Sequence, residues 1–175
     1  MNGLTGSRRT ARPVRLSLNN GDVAAIDGAW WPHTASVSNE LPELIERLQP
    51  RLGVVENIRI NWSATEGPLG FTDMWSRAAK SAHPCQAPRL MAVSGRDAAI
   101  RLLVIPYLTS PELGQLVLAL AAARPVVMAP ADPKLSKIGD YILSIATAES
   151  RRWCGEPETA ALQHNTLKNN NGPVR

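Results

Sequence analysis

Between Leu41 and Trp62 the spacing of apolar residues switches from a helical to a strand period across one glycine, Gly53. Leu41, Leu44, Ile45, Leu48 and Leu52 recur at helical intervals and form one stripe. Ser38 or Asn39 suits the N-cap, and Pro42 then falls in the first turn, where a missing N–H costs nothing. Glu40, Glu43 and Glu46 come early and Arg47 and Arg51 late, which suits the helix dipole. The spacing predicts a helix over about 39–52, stopped by Gly53. Beyond it, in a strand from Val54 to Trp62, Ile58, Ile60 and Trp62 point one way and Asn57, Arg59 and Asn61 the other. A sheet with one polar face at this strand is expected.

Upstream, Val14, Leu16 and Leu18 alternate with Arg15 and Ser17 as a half-buried strand, and Asn19-Asn20-Gly21-Asp22 makes a turn. Asp27-Gly28 is a second turn signal before Ala29-Trp30-Trp31-Pro32. Adjacent tryptophans in extended chain face opposite sides, so one enters the core and the other faces another layer or solvent. Downstream, 89–93 and 99–105 flank Ser94-Gly95-Arg96-Asp97 as a β-hairpin. Its second arm, Ile100 to Ile105, is nearly all apolar and reads as a central strand. Thr109 with Glu112, or Ser110 with Pro111, opens a helix carrying Leu113, Leu116, Val117 and Leu120. Asp132-Pro133 opens another, with Leu135, Ile138, Ile142 and Ile145, running to about Trp153. Residues 63–88 are punctuated by glycine and proline; a short strand around 71–76 and a structured loop are both open.

Helices are not interposed regularly between strands. The order predicts an α+β fold, a mostly antiparallel sheet with two or three helices packed on one face. At 175 residues the chain has the length of one domain. Its expected limits are 14–153, with a disordered basic arm at 1–13 and a disordered polar tail at 154–175.

The formal net charge of +4 is unevenly placed. Residues 1–15 contribute +4, residues 151–175 contribute +2, and residues 16–150 carry −2. A folded surface built to neutralise phosphates is therefore disfavoured. The arm of Arg8, Arg9, Arg12 and Arg15 leaves a nucleic-acid role as an alternative, with the five tryptophans too dispersed to interleave with it. No apolar run reaches the roughly 18 residues of a membrane span, and no apolar segment follows the N-terminal arginines as in a signal peptide. Cys85 and Cys154 suit a reducing cytosol better than a disulfide framework.

Little in the chain announces chemistry. His83-Pro84-Cys85 offers two metal ligands where zinc needs three or four, and Cys154, His33 and His164 add no paired spacing. No glycine-rich phosphate loop and no Gly-x-Ser-x-Gly occurs, so no nucleotide or other cofactor is implied. Asp27 beside Trp30 and Trp31 could frame a small pocket, an acid with aromatic walls, with Arg59 on the polar strand face as a second contact. A turn acid followed by ordinary aromatic packing explains the same letters. These residues favour a non-catalytic domain for a protein partner or small ligand. An enzyme using Asp27 with His33 or His83 is the alternative.

Arg15-Leu16-Ser17-Leu18, Asp27-Gly28-Ala29-Trp30-Trp31-Pro32 and the Glu40-Leu41-Pro42 helix start resemble an actinobacterial domain-of-unknown-function family, number 5994. The strand Ile100 to Pro106 and its following helix are similar in order and spacing, so the resemblance covers roughly 14–123. It implies an actinobacterial cytoplasmic protein and carries no activity.

Overall fold

A computed structural model describes residues 12–21, 25–63, 70–80, 87–125 and 132–155, with side chains to 153 in the last segment. Strands β1 (Arg15–Leu18) and β2 (Gly28–Trp31) precede helix α1 (Val37–Leu52) and strand β3 (Val55–Ile60). Helix α2 (Phe71–Lys80), strands β4 (Leu90–Gly95) and β5 (Ala99–Val104), and helices α3 (Pro111–Ala121) and α4 (Pro133–Gly155) complete the order.

The five strands form one sheet in the order β1-β2-β5-β4-β3. β1 pairs with β2, β5 with β4, and β4 with β3, all antiparallel. The β2–β5 pairing is parallel, so the sheet is mixed. A β1–β2 hairpin and a β3–β4–β5 unit thus meet along one parallel seam. β2, α1 and β3 form a crossover between parallel strands, with β5 and β4 inserted between them.

The α+β class holds, and α3 and α4 share one face of the sheet as expected, joined there by α2, which was not expected as a helix. A fourth helix, α1, lies on the other face, so the predicted single helical layer becomes two. The reason is visible in β2 and β5, which bury side chains on both sides. Trp30 packs with Leu44, Leu48 and Leu52 of α1 and with Met91, Ile100, Leu102 and Val104. Trp31 packs on the opposite face with Leu113, Leu116 and Val117 of α3, and with Leu103, Ile105 and Phe71. Both tryptophans are therefore buried, each in its own core.

Residues 71–80 form a helix rather than a strand or loop. Phe71 and Met74 face the α3–α4 core, and Trp75 meets Tyr141 of α4 edge-on at 5.2 Å. The α1 start also shifts: its N-cap is Ser36, so Pro42 sits inside the helix rather than in its first turn. For α3, the Ser110 and Pro111 alternative is realised, with the Ser110 hydroxyl accepting from the Leu113 N–H. Among the described residues, no helix is long and apolar enough to cross a membrane.

Candidate functional site

Five strands spaced at about 4.8 Å make a sheet roughly 20 Å across, and one helix is about 10 Å wide. α1 alone therefore leaves part of its face open. At its C-terminal end α1 closes on the β4–β5 turn: the Leu52 carbonyl accepts from Asp97 N–H at 3.0 Å, and Gly95 lies too close to Leu52 for any side chain. At its N-terminal end a groove of about 710 Å³ separates α1 from the far ends of β3, β4 and β5.

Each wall has a local cause. The 33–35 turn that brings the chain from β2 into α1 is tied by Glu40. Its carboxylate accepts from His33 N–H at 2.8 Å, Thr34 N–H at 2.7 Å and the Thr34 hydroxyl at 2.7 Å. That fixes Ser36, Val37, Ser38 and Leu41 as one wall. The strand period puts Ile58, Ile60 and Trp62 together on the opposite wall, as the sequence predicted. Asn61 holds this end of β3, accepting from Leu90 N–H at 2.7 Å and donating to the Pro88 carbonyl at 3.0 Å. Met91, Val104 and Ile105 form the floor, and Pro106 and Tyr107 one end. Ile60 stays 45% exposed, an apolar side chain facing the open groove. Arg89 enters beside it, its guanidinium 5.5 Å from the Trp62 ring centroid.

None of Asp27, Trp30, Trp31 and Arg59 lines this groove. Asp27 lies at the start of the β2–β5 seam, where its carboxylate accepts from Arg101 N–H at 2.7 Å and its own N–H donates to the Arg101 carbonyl at 2.8 Å. Trp30 and Trp31 point to opposite faces and share no pocket. Arg59 faces the α4 side, with its guanidinium 5.5 Å from the Trp153 ring. Asp27 and His33 stand at opposite ends of β2, separated by ~20 Å at about 3.3 Å per residue, so they do not meet. His33 instead sits with Nε2 3.1 Å from the Pro13 carbonyl. His83, His164 and Cys85 lie outside the described residues, as does the side chain of Cys154. No group of three or more metal-ligating side chains occurs among the described residues.

The arginine arm is also divided. Arg8 and Arg9 lie outside the described residues, and Arg12 is exposed. Arg15 belongs to the fold: Nε donates to the Trp31 carbonyl at 3.1 Å and Nη2 to the Pro32 carbonyl at 2.5 Å. Burial lowers its pKa, the Glu40 carboxylate opposes that, and Arg12 adds to it.

The groove was absent from the sequence reading. The apolar alternation of Ile58, Ile60 and Trp62 was its only local trace, and those residues would equally have served a covered core.

Fold and site together define a mixed-sheet α+β domain with an open apolar groove beside one helix start. The chain belongs to a family of unknown function (DUF5994), whose model matches residues 15–121. That span contains every described residue of the groove. No curated protein and no solved structure matches the chain.

Proposed function

We propose that this chain is a non-catalytic binding domain whose groove between α1 and the β3–β4–β5 end takes a small, mostly apolar ligand. The observation that carries the reading is the groove itself, about 710 Å³ and walled by Leu41, Ile58, Ile60, Trp62, Met91 and Val104. Ligand sites generally run from about 300 to 1,000 Å³, mostly apolar with a few placed polar groups. Among the described residues that line the groove there is no Asp, Glu, His or Cys. In this reading Asp27, Trp30 and Trp31 fasten the sheet beneath the groove and Arg59 steadies its far side. The domain extends over 14–153. An actinobacterial, cytoplasmic setting is part of the same proposal, supported by the sequence resemblance and by a two-cysteine composition that calls for no disulfide framework.

The test is fluorescence titration of the full chain with the neutral apolar probe phenylnaphthylamine. Saturable binding at one site is expected, lost in Ile60→Asp and weakened in Trp62→Ala. Binding that fails to saturate, or that Ile60→Asp leaves unchanged, overturns the proposal.

A further inference from the structure

The two ends of α1 are held by different forces. From Leu44 onward the helix is fixed by packing, with Leu44, Leu48 and Leu52 buried against the sheet. None of residues 37–41 is buried: Val37 and Leu41 are partly covered, and Ser38 and Asn39 are exposed. Ser36 makes no side-chain cap bond to this turn. What ties it down is Glu40, whose carboxylate reaches back to three donors, His33 N–H, Thr34 N–H and the Thr34 hydroxyl. Pro32, just before them, is anchored from β1, its carbonyl accepting from Arg15. A helix end held by a few hydrogen bonds opens more readily than one held by buried apolar area.

Glu40 does not line the groove, but Thr34, Ser36, Val37 and Leu41, on either side of it in sequence, do. Resting on the reading of the groove as a ligand site, we infer that Glu40 is its positioning residue: the carboxylate sets how tightly the groove binds without touching what is bound. With the three bonds made, Val37 and Leu41 form one wall and Ile58 and Trp62 the other, and an apolar ligand gains from both. With them broken, the first turn of α1 frays, and affinity falls with the fraction of molecules whose wall is formed. The coupling is reciprocal, so a bound ligand holds Glu40 on its donors to the same degree that those bonds favour the ligand. His33 itself lies outside the groove lining, and its N–H therefore reports occupancy without being shielded by the ligand.

The test titrates the full chain and three variants with phenylnaphthylamine, a neutral probe that does not feel the loss of a charge directly. Glu40→Ala should weaken binding about tenfold, within the usual range of coupling between sites. Glu40→Gln keeps an acceptor for Thr34 but turns an N–H toward His33, and should cost about threefold. Glu43→Ala removes an exposed acid from the same helix and should leave affinity unchanged. In the parent chain, saturating probe should slow hydrogen exchange at the His33 amide. A merely structural role would lower the denaturation midpoint of the Glu40 variants and move neither affinity nor this exchange rate. Should Glu40→Ala fail to fold, Glu40→Gln carries the same measurement. Parent affinity in the Glu40 variants, an equal loss in Glu43→Ala, or His33 exchange indifferent to the probe overturns the positioning role and leaves the groove reading standing. No saturable binding by the parent chain overturns both.

Discussion

The Arg15 guanidinium lies 3.6 Å from the centroid of the Trp31 ring, across the β1–β2 ladder in which the two residues are direct partners. The same side chain donates to the carbonyls of Trp31 and Pro32, so one arginine both stacks on the indole and fixes the chain leaving β2. That exit leads into the turn and helix start that wall the groove. Arg15→Ala is expected to destabilise the domain by about 1–2 kcal/mol, a cation–π contact plus charged hydrogen bonds. Arg15→Lys should recover less than half, because an ammonium cannot stack and fork at once. Urea denaturation followed by circular dichroism reads both, and a lysine variant as stable as the parent would refute the geometry.

Gly114 of α3 is the position against which Trp31 packs; a Cβ there would run into the indole ring. Alanine in mid-helix gains about 1 kcal/mol over glycine, while overpacking a core costs about 1–3 kcal/mol. The clash wins if the ring cannot retreat, and Trp31 is only 4% exposed. Gly114→Ala should therefore lower the denaturation midpoint, and Gly114→Val lower it further. Adding Trp31→Phe to Gly114→Ala should cost less than Trp31→Phe costs alone. A raised midpoint in Gly114→Ala would contradict this packing.

Ser150 of α4 is completely buried. Its hydroxyl donates to the Ala25 carbonyl and accepts from Arg101 Nη1 at 3.1 Å, joining α4 to the entry of β2 and to β5. Ser150→Ala removes the bridge without adding bulk and leaves the part-buried Ala25 carbonyl and Arg101 guanidinium without it. A loss of about 1–3 kcal/mol is expected. Hydrogen exchange should show the loosening at Ala25 to Gly28. A change below about 0.5 kcal/mol, the scale of an ordinary surface substitution, would show that the bridge carries no weight.

Pro50 stands exposed inside α1. It removes the N–H that would bond the Glu46 carbonyl, and its ring crowds that group. Part of this cost is offset because proline also restrains the unfolded chain. Pro50→Ala is expected to stabilise the domain by about 1–2 kcal/mol, read as a higher thermal midpoint. An unchanged midpoint would mean that the helix has already absorbed the break.

The residues that could be read in advance were those whose surroundings are local. Leu44, Leu48 and Leu52 declared α1, Ile58 and Ile60 declared β3, and the apolar run through Ile100 to Ile105 marked β5 as central. α2 was missed although Phe71, Met74, Trp75 and Ala78 keep helical spacing, because ten residues between glycine- and proline-rich stretches give a period little room to show. The β2–β5 seam joins residues more than seventy positions apart, and no local pattern records such a pairing. Helices on both faces were legible in principle: Leu102 and Leu103, like Trp30 and Trp31, are adjacent and all buried. The groove was not, because it arises from the difference in width between one helix and a sheet.

The parallel seam also orders the assembly of the molecule. Among the described residues β5 is the last strand in the sequence and the middle one in the sheet. During synthesis the β1–β2 hairpin and the β3–β4 pair emerge with no hydrogen bonds to each other, each presenting a free edge to its surroundings. Only when residues 99–104 arrive does a single strand zip the two halves together. A nascent chain halted before residue 99 holds two unjoined ribbons, and the groove, floored in part by Val104, does not yet exist.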